Sequence, residues 1–277
     1  MLDQVLSPSN LDMAWRRLSS DKSQWDSITS RKEMERHLLH HLYTLTDQVR
    51  ERHYQPGSMR QFSIAKPNGS RRVLSALYLR DKLLQRAVLQ VIEPMAEKEF
   101  DDDSYGYRPK RNVQMAITRA LERVDCGMPW LVDADLEQFF DSIPHRPLVK
   151  ILRRKIRNRG IEELMSAWLR QSVVSGNRFT ERRGIAQGAV LSPIQCNYYL
   201  NELDLYWRKK GIPFVRFADD FLLFAPTKDS AKKALALTDK KLSELRIKLN
   251  FDKTSIVKAS RQVEFLGQRL RAPRKYK

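Results

Sequence analysis

Residues 214–224 constrain the chain most: Phe214-Val215-Arg216-Phe217 and Phe221-Leu222-Leu223-Phe224 flank Ala218-Asp219-Asp220. Apolar, β-prone runs on both sides leave only the acidic pair as the turn of a hairpin. Two carboxylates on one turn repel each other unless a cation lies beside them, a strain that metal binding would relieve. A second acidic locus ends another apolar run, Leu131-Val132-Asp133-Ala134-Asp135-Leu136. Together the two loci could supply the oxygen ligands that Mg²⁺ prefers, in a two-metal site whose coordination phosphoryl oxygens complete.

A chain of 277 residues, 42% of them hydrophobic, can bury one large domain or two closely joined ones. Its formal charge of +18 and pI near 10.0 point to a polyanionic partner, nucleic acid first and an anionic membrane second. The membrane reading weakens because no window approaches the roughly 18 uninterrupted apolar residues of a spanning helix. The N-terminus has no signal-peptide pattern, so a soluble cytoplasmic protein is expected. Cys126 and Cys196 lie far apart, outside any Cys-x-x-Cys pair, and read as ordinary thiols.

The first half reads as mostly helical. Asn10 is placed to cap a short helix carrying Leu11, Ala14, Trp15 and Leu18. Ser30-Arg31-Lys32-Glu33 has capping-box spacing, and Met34, Leu38, Leu42, Leu45 and Val49 predict one long amphipathic helix ending near Tyr54. His37 and His41 have ligand spacing on it, but no third ligand, and read as surface residues. A hairpin is expected over Gln61 to Leu74 with a basic tip, then a helix from Arg80 that Pro94 ends. Asp101-Asp102-Asp103 reads as a hydrophilic loop, since consecutive carboxylates cannot all face one ion. Asn112 should cap the helix of Val113, Ile117, Ala120 and Val124.

The second half adds strands. Trp130 to Leu136 is one, followed by a helical stretch around Arg146 to Arg170. That stretch carries Lys150, Arg153, Arg154, Lys155, Arg157 and Arg159, a candidate phosphate-contacting face. Ser192-Pro193 opens a helix reaching Lys210 and closed by Gly211. After the acidic hairpin come a helix with Ala231, Leu235, Thr238 and Leu242, and strands over Thr254 to Val257 and Val263 to Leu270. The result is an α/β (α+β) pattern with an antiparallel element.

The order of these pieces resembles the reverse transcriptases of the group II intron lineage, and within it the CRISPR-associated reverse transcriptases. The segments that carry the resemblance are Lys66-Pro67-Asn68-Gly69-Ser70-Arg71-Arg72, Ser104-Tyr105-Gly106-Tyr107-Arg108-Pro109 and Asp133-Ala134-Asp135-Leu136-Glu137-Gln138-Phe139-Phe140-Asp141. Gln187-Gly188-Ala189-Val190-Leu191-Ser192-Pro193, Phe217-Ala218-Asp219-Asp220, Asn250-Phe251-Asp252-Lys253-Thr254 and Phe265-Leu266-Gly267 follow in the family's order.

The resemblance implies a right-hand polymerase, with fingers and a palm whose antiparallel sheet packs on helices. It implies a helical extension over 1–54, fingers over 55–128, a palm over 129–270 with a fingers-associated insert at about 146–190, and a basic tail over 271–277. Asp135, Asp219 and Asp220 would be catalytic and, with the Leu136 carbonyl, would hold two Mg²⁺ ions, with Mn²⁺ able to substitute. Lys66, Arg71 or Arg72, Phe140, Gln187 and Lys253 would meet the dNTP. Phe140 would be a gate against the 2′-hydroxyl, the group that separates ribonucleotides from deoxyribonucleotides. Arg108, Lys150, Arg153, Arg154, Gly188, Leu266 and Gly267 would contact nucleic acid; for Arg108 an internal carboxylate is an equal alternative.

The implied partners are an RNA template, a DNA or RNA primer and dNTPs, with CRISPR integrase proteins acting in trans and no membrane. Phe217, Ala186 and Lys110 depart from the family's commoner Tyr, Pro and Gly but leave the candidate ligands intact. The chain ends soon after Gly267, so a thumb is expected to be absent or minimal. Three readings stand: an RNA-directed DNA polymerase serving spacer acquisition from RNA, a phage-defence or domesticated intron-like enzyme, and an inactive nucleic-acid-binding scaffold.

Overall fold

Helical periodicity in the first half and alternating apolar runs in the second decide where the elements fall. A computed structural model describes residues 1–65, 71–171, 183–260 and 263–270. In chain order the first elements are α1 (Leu2–Val5), α2 (Pro8–Arg16), α3 (Arg31–Arg36), α4 (Leu38–Arg50), β1 (Arg60–Ala65), β2 (Arg71–Ala76) and α5 (Leu79–Glu97). Then come α6 (Val113–Asp125), β3 (Trp130–Ala134), α7 (Phe139–Ser142), α8 (His145–Ile156) and α9 (Arg159–Gln171). The remainder is α10 (Ser192–Lys210), β4 (Phe214–Phe217), β5 (Asp220–Ala225), α11 (Lys228–Glu244), β6 (Ser255–Lys258), β7 (Glu264–Phe265) and β8 (Gln268–Arg269).

The chain divides into two units, Met1–Lys98 with Pro144–Ser192, and Glu99–Ile143 with Pro193–Lys277. The chain passes between them at Lys98/Glu99, Ile143/Pro144 and Ser192/Pro193. Among the described residues no helix is long and apolar enough to cross a membrane.

In the first unit α1 and α2 pack on α5, and α8 packs on α9. Ser7, not Asn10, caps α2: the Asn10 amide donates to the Ser7 Oγ at 3.4 Å. The Asn10 side chain is instead buried and donates to the carbonyls of Val5 and Ala87, tying α1 to α5. The long helix expected after Ser30 is two helices. Ser30 caps α3 as expected, but the His37 amide closes on Met34 at 3.1 Å and His37 leaves helical geometry before α4 begins. Pro94 does not end α5, which runs on to Glu97. Proline removes a single helical N–H, and a helix burying Leu83, Leu84, Ala87, Val88 and Ile92 outweighs that loss. The stretch around 146–170 is likewise broken, at Arg157 with φ 51°.

A buried polar chain anchors this unit's centre. The Tyr54 hydroxyl donates to Asp81 at 2.6 Å and accepts from the Trp168 indole at 2.9 Å, while the Gly57 amide donates to the second Asp81 oxygen. Strands β1 and β2 form the expected antiparallel hairpin; its tip, residues 66–70, lies outside the described residues.

In the second unit the strand order is β4-β5-β3-β6, all antiparallel. On one face α6, capped by Asn112 as its sequence predicts, packs Ile117, Ala120 and Val124 against Leu131, Val215, Leu222 and Phe224. The Trp207 ring of α10 lies 4.9 Å from the rings of Phe214 and Phe221, and its indole donates to Thr238 on α11. The last strand expected, over 263–270, is instead the small β7–β8 hairpin, turned at Leu266 and Gly267 with φ 53° and 76°.

Asp101-Asp102-Asp103 is more than a solvated loop. Asp103 is 1% exposed and accepts from Arg119 at 2.7 Å, Arg123 at 2.6 Å and Arg208 at 2.9 Å. Burial pushes its carboxyl up, but the three guanidinium hydrogen bonds outweigh burial and hold it below the ordinary carboxylate range. A depressed carboxyl stabilises the fold above its unfolded pKa, and that contribution is lost as pH falls through the folded value. Asp103→Asn should therefore lower stability at pH 7 by about 3 kcal/mol and flatten the acid limb of the stability profile in urea titrations. A limb as steep as the parent's would refute the assignment.

Candidate active site

Strand alternation puts odd-numbered residues of β3 and even-numbered residues of β5 on one face. The register pairs Asp133 with Leu222 and Ala134 with Phe221. Asp135 follows the last paired residue of β3, and its charge acts on Asp220 at the start of β5. Asp219 lies beside them in the β4–β5 turn, which Ala218 makes possible by adopting φ 58°. The expected hairpin is present, but its turn is Ala218-Asp219 and not the acidic pair: Asp220 opens β5 opposite Phe217. Asp133, Asp135 and Asp219 all act electrostatically on Asp220.

The electrostatics of that end are strained. Burial, then Asp219, Asp135 and Asp133, push the Asp220 carboxyl up to about 6. Burial and Asp135 push Asp133 up to about 6 as well. One cation answers them. Lys253 donates from Nζ to Asp135 Oδ2 at 2.8 Å, and this hydrogen bond, reinforced by the carboxylate charges, holds the ammonium above its usual pKa.

The segment carrying Lys253 is fastened to the end of β3. The Asn250 amide donates to the Asp135 carbonyl and the Glu137 amide to the Lys248 carbonyl, both at 2.9 Å. This pairing uses the carbonyls of Asp135 and Lys248 and not that of Leu136. Among the described residues, no three His, Cys, Asp or Glu side chains already converge as a metal-ligand set. Asp135 is engaged with Lys253. The donors themselves, hard carboxylate oxygens crowded at a sheet end with an ammonium among them, are those that suit Mg²⁺.

The acidic turn is held from beneath by residues that the sequence did not single out. Alternation aims Arg216 inward between Val215 and Phe217, where it is fully buried. It donates to Asp204 through Nε at 2.8 Å and Nη2 at 2.5 Å, and through Nη1 to Asn197 at 3.0 Å and to the Ala218 carbonyl at 2.8 Å. Burial pushes the Asp204 carboxyl up and the Arg216 fork pulls it back. An arginine inside an apolar strand signals a buried partner, but sequence cannot say which.

Tyr105-Gly106 lies against the same turn. The Tyr105 amide donates to the Arg216 carbonyl at 2.8 Å, and Asn197 donates to the Gly106 carbonyl at 2.9 Å. A Cβ on Gly106 would sit 2.1 Å from the Ala218 nitrogen.

The other predicted residues are placed as follows. Phe140, on α7, is 9% exposed and meets Phe139 and Tyr107 edge to face. Arg108 is 7% exposed and donates to the carbonyls of Asp101 and Ser104, which turns it inward. In the other unit, the Ser75 amide of β2 donates to the Gln187 carbonyl at 2.8 Å. Gly188 there has φ 98°, and a Cβ on it would come 3.1 Å from the Ser75 carbonyl, so glycine serves both turn and close approach. Lys150, Arg153 and Arg154 lie on α8, with Arg153 3.4 Å from Glu162. Arg71 and Arg72 belong to the β2 backbone. Lys66, the Arg71 and Arg72 side chains and the 271–277 tail lie outside what is described.

The profile of the reverse transcriptase (RNA-dependent DNA polymerase) family matches residues 64–270. The chain belongs to the reverse transcriptase family. It is 32% identical over 269 residues to protein YkfC of Escherichia coli K12, covering 83% of this chain and 71% of that one. Group II intron-encoded protein LtrA of Lactococcus lactis is 32% identical over 165 residues, 59% of this chain but only 27% of LtrA. That likeness to a group II intron-encoded protein covers part of each chain.

Among solved structures, the partial Cas6-RT-Cas1–Cas2 complex shares the fold with TM-score 0.50 at 24% identity, over 88% of this chain and 41% of that chain. Telomerase from Candida albicans shares it with TM-score 0.58 at 16% identity, over 77% and 44%. The mixed helical and antiparallel architecture is that of reverse transcriptase fingers and palm.

Gly106→Ala should destabilise this reverse transcriptase by about 1–3 kcal/mol in urea denaturation, because the added methyl meets backbone that cannot yield cheaply. An unchanged midpoint would show that the acidic turn is not held by this contact.

Proposed function

We propose that this chain extends a DNA or RNA primer with dNTPs on an RNA template, and that Asp135, Asp219 and Asp220 hold the divalent ions of the reaction. The observation that carries the reading is the under-neutralised carboxylate cluster at the sheet end, with Asp220 and Asp133 at about 6, in a chain of charge +18. Perturbed acids in a chain this basic fit phosphoryl transfer, which needs positioning and charge neutralisation more than covalent help. Two Mg²⁺ ions bound there, with the Leu136 carbonyl as a further ligand, would activate the primer 3′-hydroxyl and neutralise the leaving pyrophosphate.

The chain's own groups have distinct tasks. Lys253, hydrogen-bonded to Asp135, would be a cation available to pyrophosphate. Lys66 with Arg71 or Arg72 meets the triphosphate, and Gln187 and Gly188 lie along the nascent pair. Phe140 excludes the 2′-hydroxyl, its ring braced by Phe139 and Tyr107. Lys150, Arg153 and Arg154 meet phosphates of the strand, as does the backbone of Leu266-Gly267, whereas Arg108 serves its own loop.

For the biological setting we propose DNA synthesis from RNA for CRISPR spacer acquisition, with integrase proteins in trans; the fold shared with the Cas6-RT-Cas1–Cas2 complex supports it. The 32% identity to LtrA supports a domesticated intron-like enzyme instead. Adjacent integrase genes would favour the first and their absence the second.

Primer extension on RNA and DNA templates, with dNTPs or rNTPs, tests the chemistry. Asp219→Asn should lose divalent-dependent product by about a hundredfold or more while still binding RNA. Equal product from both proteins would remove the carboxylate assignment. Phe140→Ala should admit ribonucleotides, and unchanged sugar selection would remove the gate.

A further inference from the structure

The first unit contains a cavity of about 390 Å³ remote in sequence from every carboxylate of the candidate active site. Its walls come from the end of α4, the segment after it and α9, and they carry Arg50, Arg52, Arg159 and Arg170 against a single acid, Glu163. Glu163 lies 2.9 Å from Arg159 and 3.7 Å from Arg52, so those two guanidinium groups already share it. Arg50 and Arg170 meet no carboxylate among the described residues.

The remaining lining includes the apolar Leu2, Val49, Leu164 and Ala167, with the polar Gln55 and Asn158 beside them. Tyr54 also lines it, with its hydroxyl already engaged by Asp81 and Trp168. A cationic rim over an apolar floor matches an amphiphilic anion. The volume falls at the small end of ligand pockets, with room for one nucleotide and not for a duplex. Guanidinium forks pair with phosphate oxygens in bidentate fashion.

We propose that this cavity binds a single phosphorylated nucleotide, its phosphate between Arg50 and Arg170 and its base over Leu164 and Ala167. The nucleotide is either the 5′-terminal unit of an RNA strand or a free nucleotide; both present the same chemistry. The site is separate from polymerisation and needs neither dNTP nor divalent ion.

The test is fluorescence anisotropy of the full chain, without divalent ions, with 3′-labelled single-stranded RNA carrying a 5′-phosphate or a 5′-hydroxyl, and with AMP as competitor. The parent should bind the 5′-phosphate strand about tenfold more tightly than the 5′-hydroxyl strand, or bind AMP. Arg50→Gln with Arg170→Gln should lose that preference. Lys232→Gln with Lys233→Gln, which removes the same charge from exposed α11, should keep it. Preference for the phosphorylated strand without competition by AMP assigns the strand end, whereas AMP binding abolished in the arginine variant assigns the free nucleotide. A parent chain that neither prefers the phosphorylated strand nor binds AMP overturns the proposal, even if the arginine variant fails to fold. Equal loss in the α11 variant overturns it too. An inactive polymerase that retains the preference would sink the functional reading and leave this one standing.

Discussion

The acidic turn depends on the buried pair of Arg216 and Asp204. Neither side chain is exposed, and two charges taken from water cost several kcal/mol each unless geometry and further hydrogen bonds compensate. Here they do: the fork fills both Asp204 oxygens, and the guanidinium's third nitrogen reaches Asn197 and the Ala218 carbonyl. A planar donor locked on a strand therefore locates the peptide next to Asp219. The same Asn197 holds the Gly106 carbonyl, so helix, loop and hairpin are joined at one point under the carboxylates.

The protein treats its acids in two ways. Asp103 is surrounded by three arginines and kept below the ordinary carboxylate range. Asp133 and Asp220 lie at the sheet end, where Lys253 donates to Asp135 instead, and both rise to about 6. Even with Lys253 donating to Asp135, the Asp133 and Asp220 carboxyls stay raised. That imbalance is what a divalent ion and a phosphate-rich substrate would correct together, and it is why the cluster, not the overall charge, carries the functional argument.

Legibility followed the range of the interaction. The hairpin around Asp219, the Asn112 cap, the Ser192–Lys210 helix and the motif order from residue 66 to 267 were readable, because turn residues, caps and periodicity act over a few positions. The Asn10 cap failed because Ser7 sits one turn earlier and α5 offers Asn10 buried carbonyls. The break at His37 and the continuation past Pro94 were hidden for a related reason: packing decided each against the local signal.

The sequence by itself determined the acids that could share a site, their positions at strand ends and the family to which their spacing belongs. Only the tertiary structure decided that Lys253 occupies Asp135, that Arg216 is answered by Asp204, and that Asp103 is answered by arginines from two helices, α6 and α10. The physical reason is that local propensities are written in neighbouring residues, whereas register and the pairing of buried charge depend on which distant segments meet, and those choices are made by the packed fold as a whole.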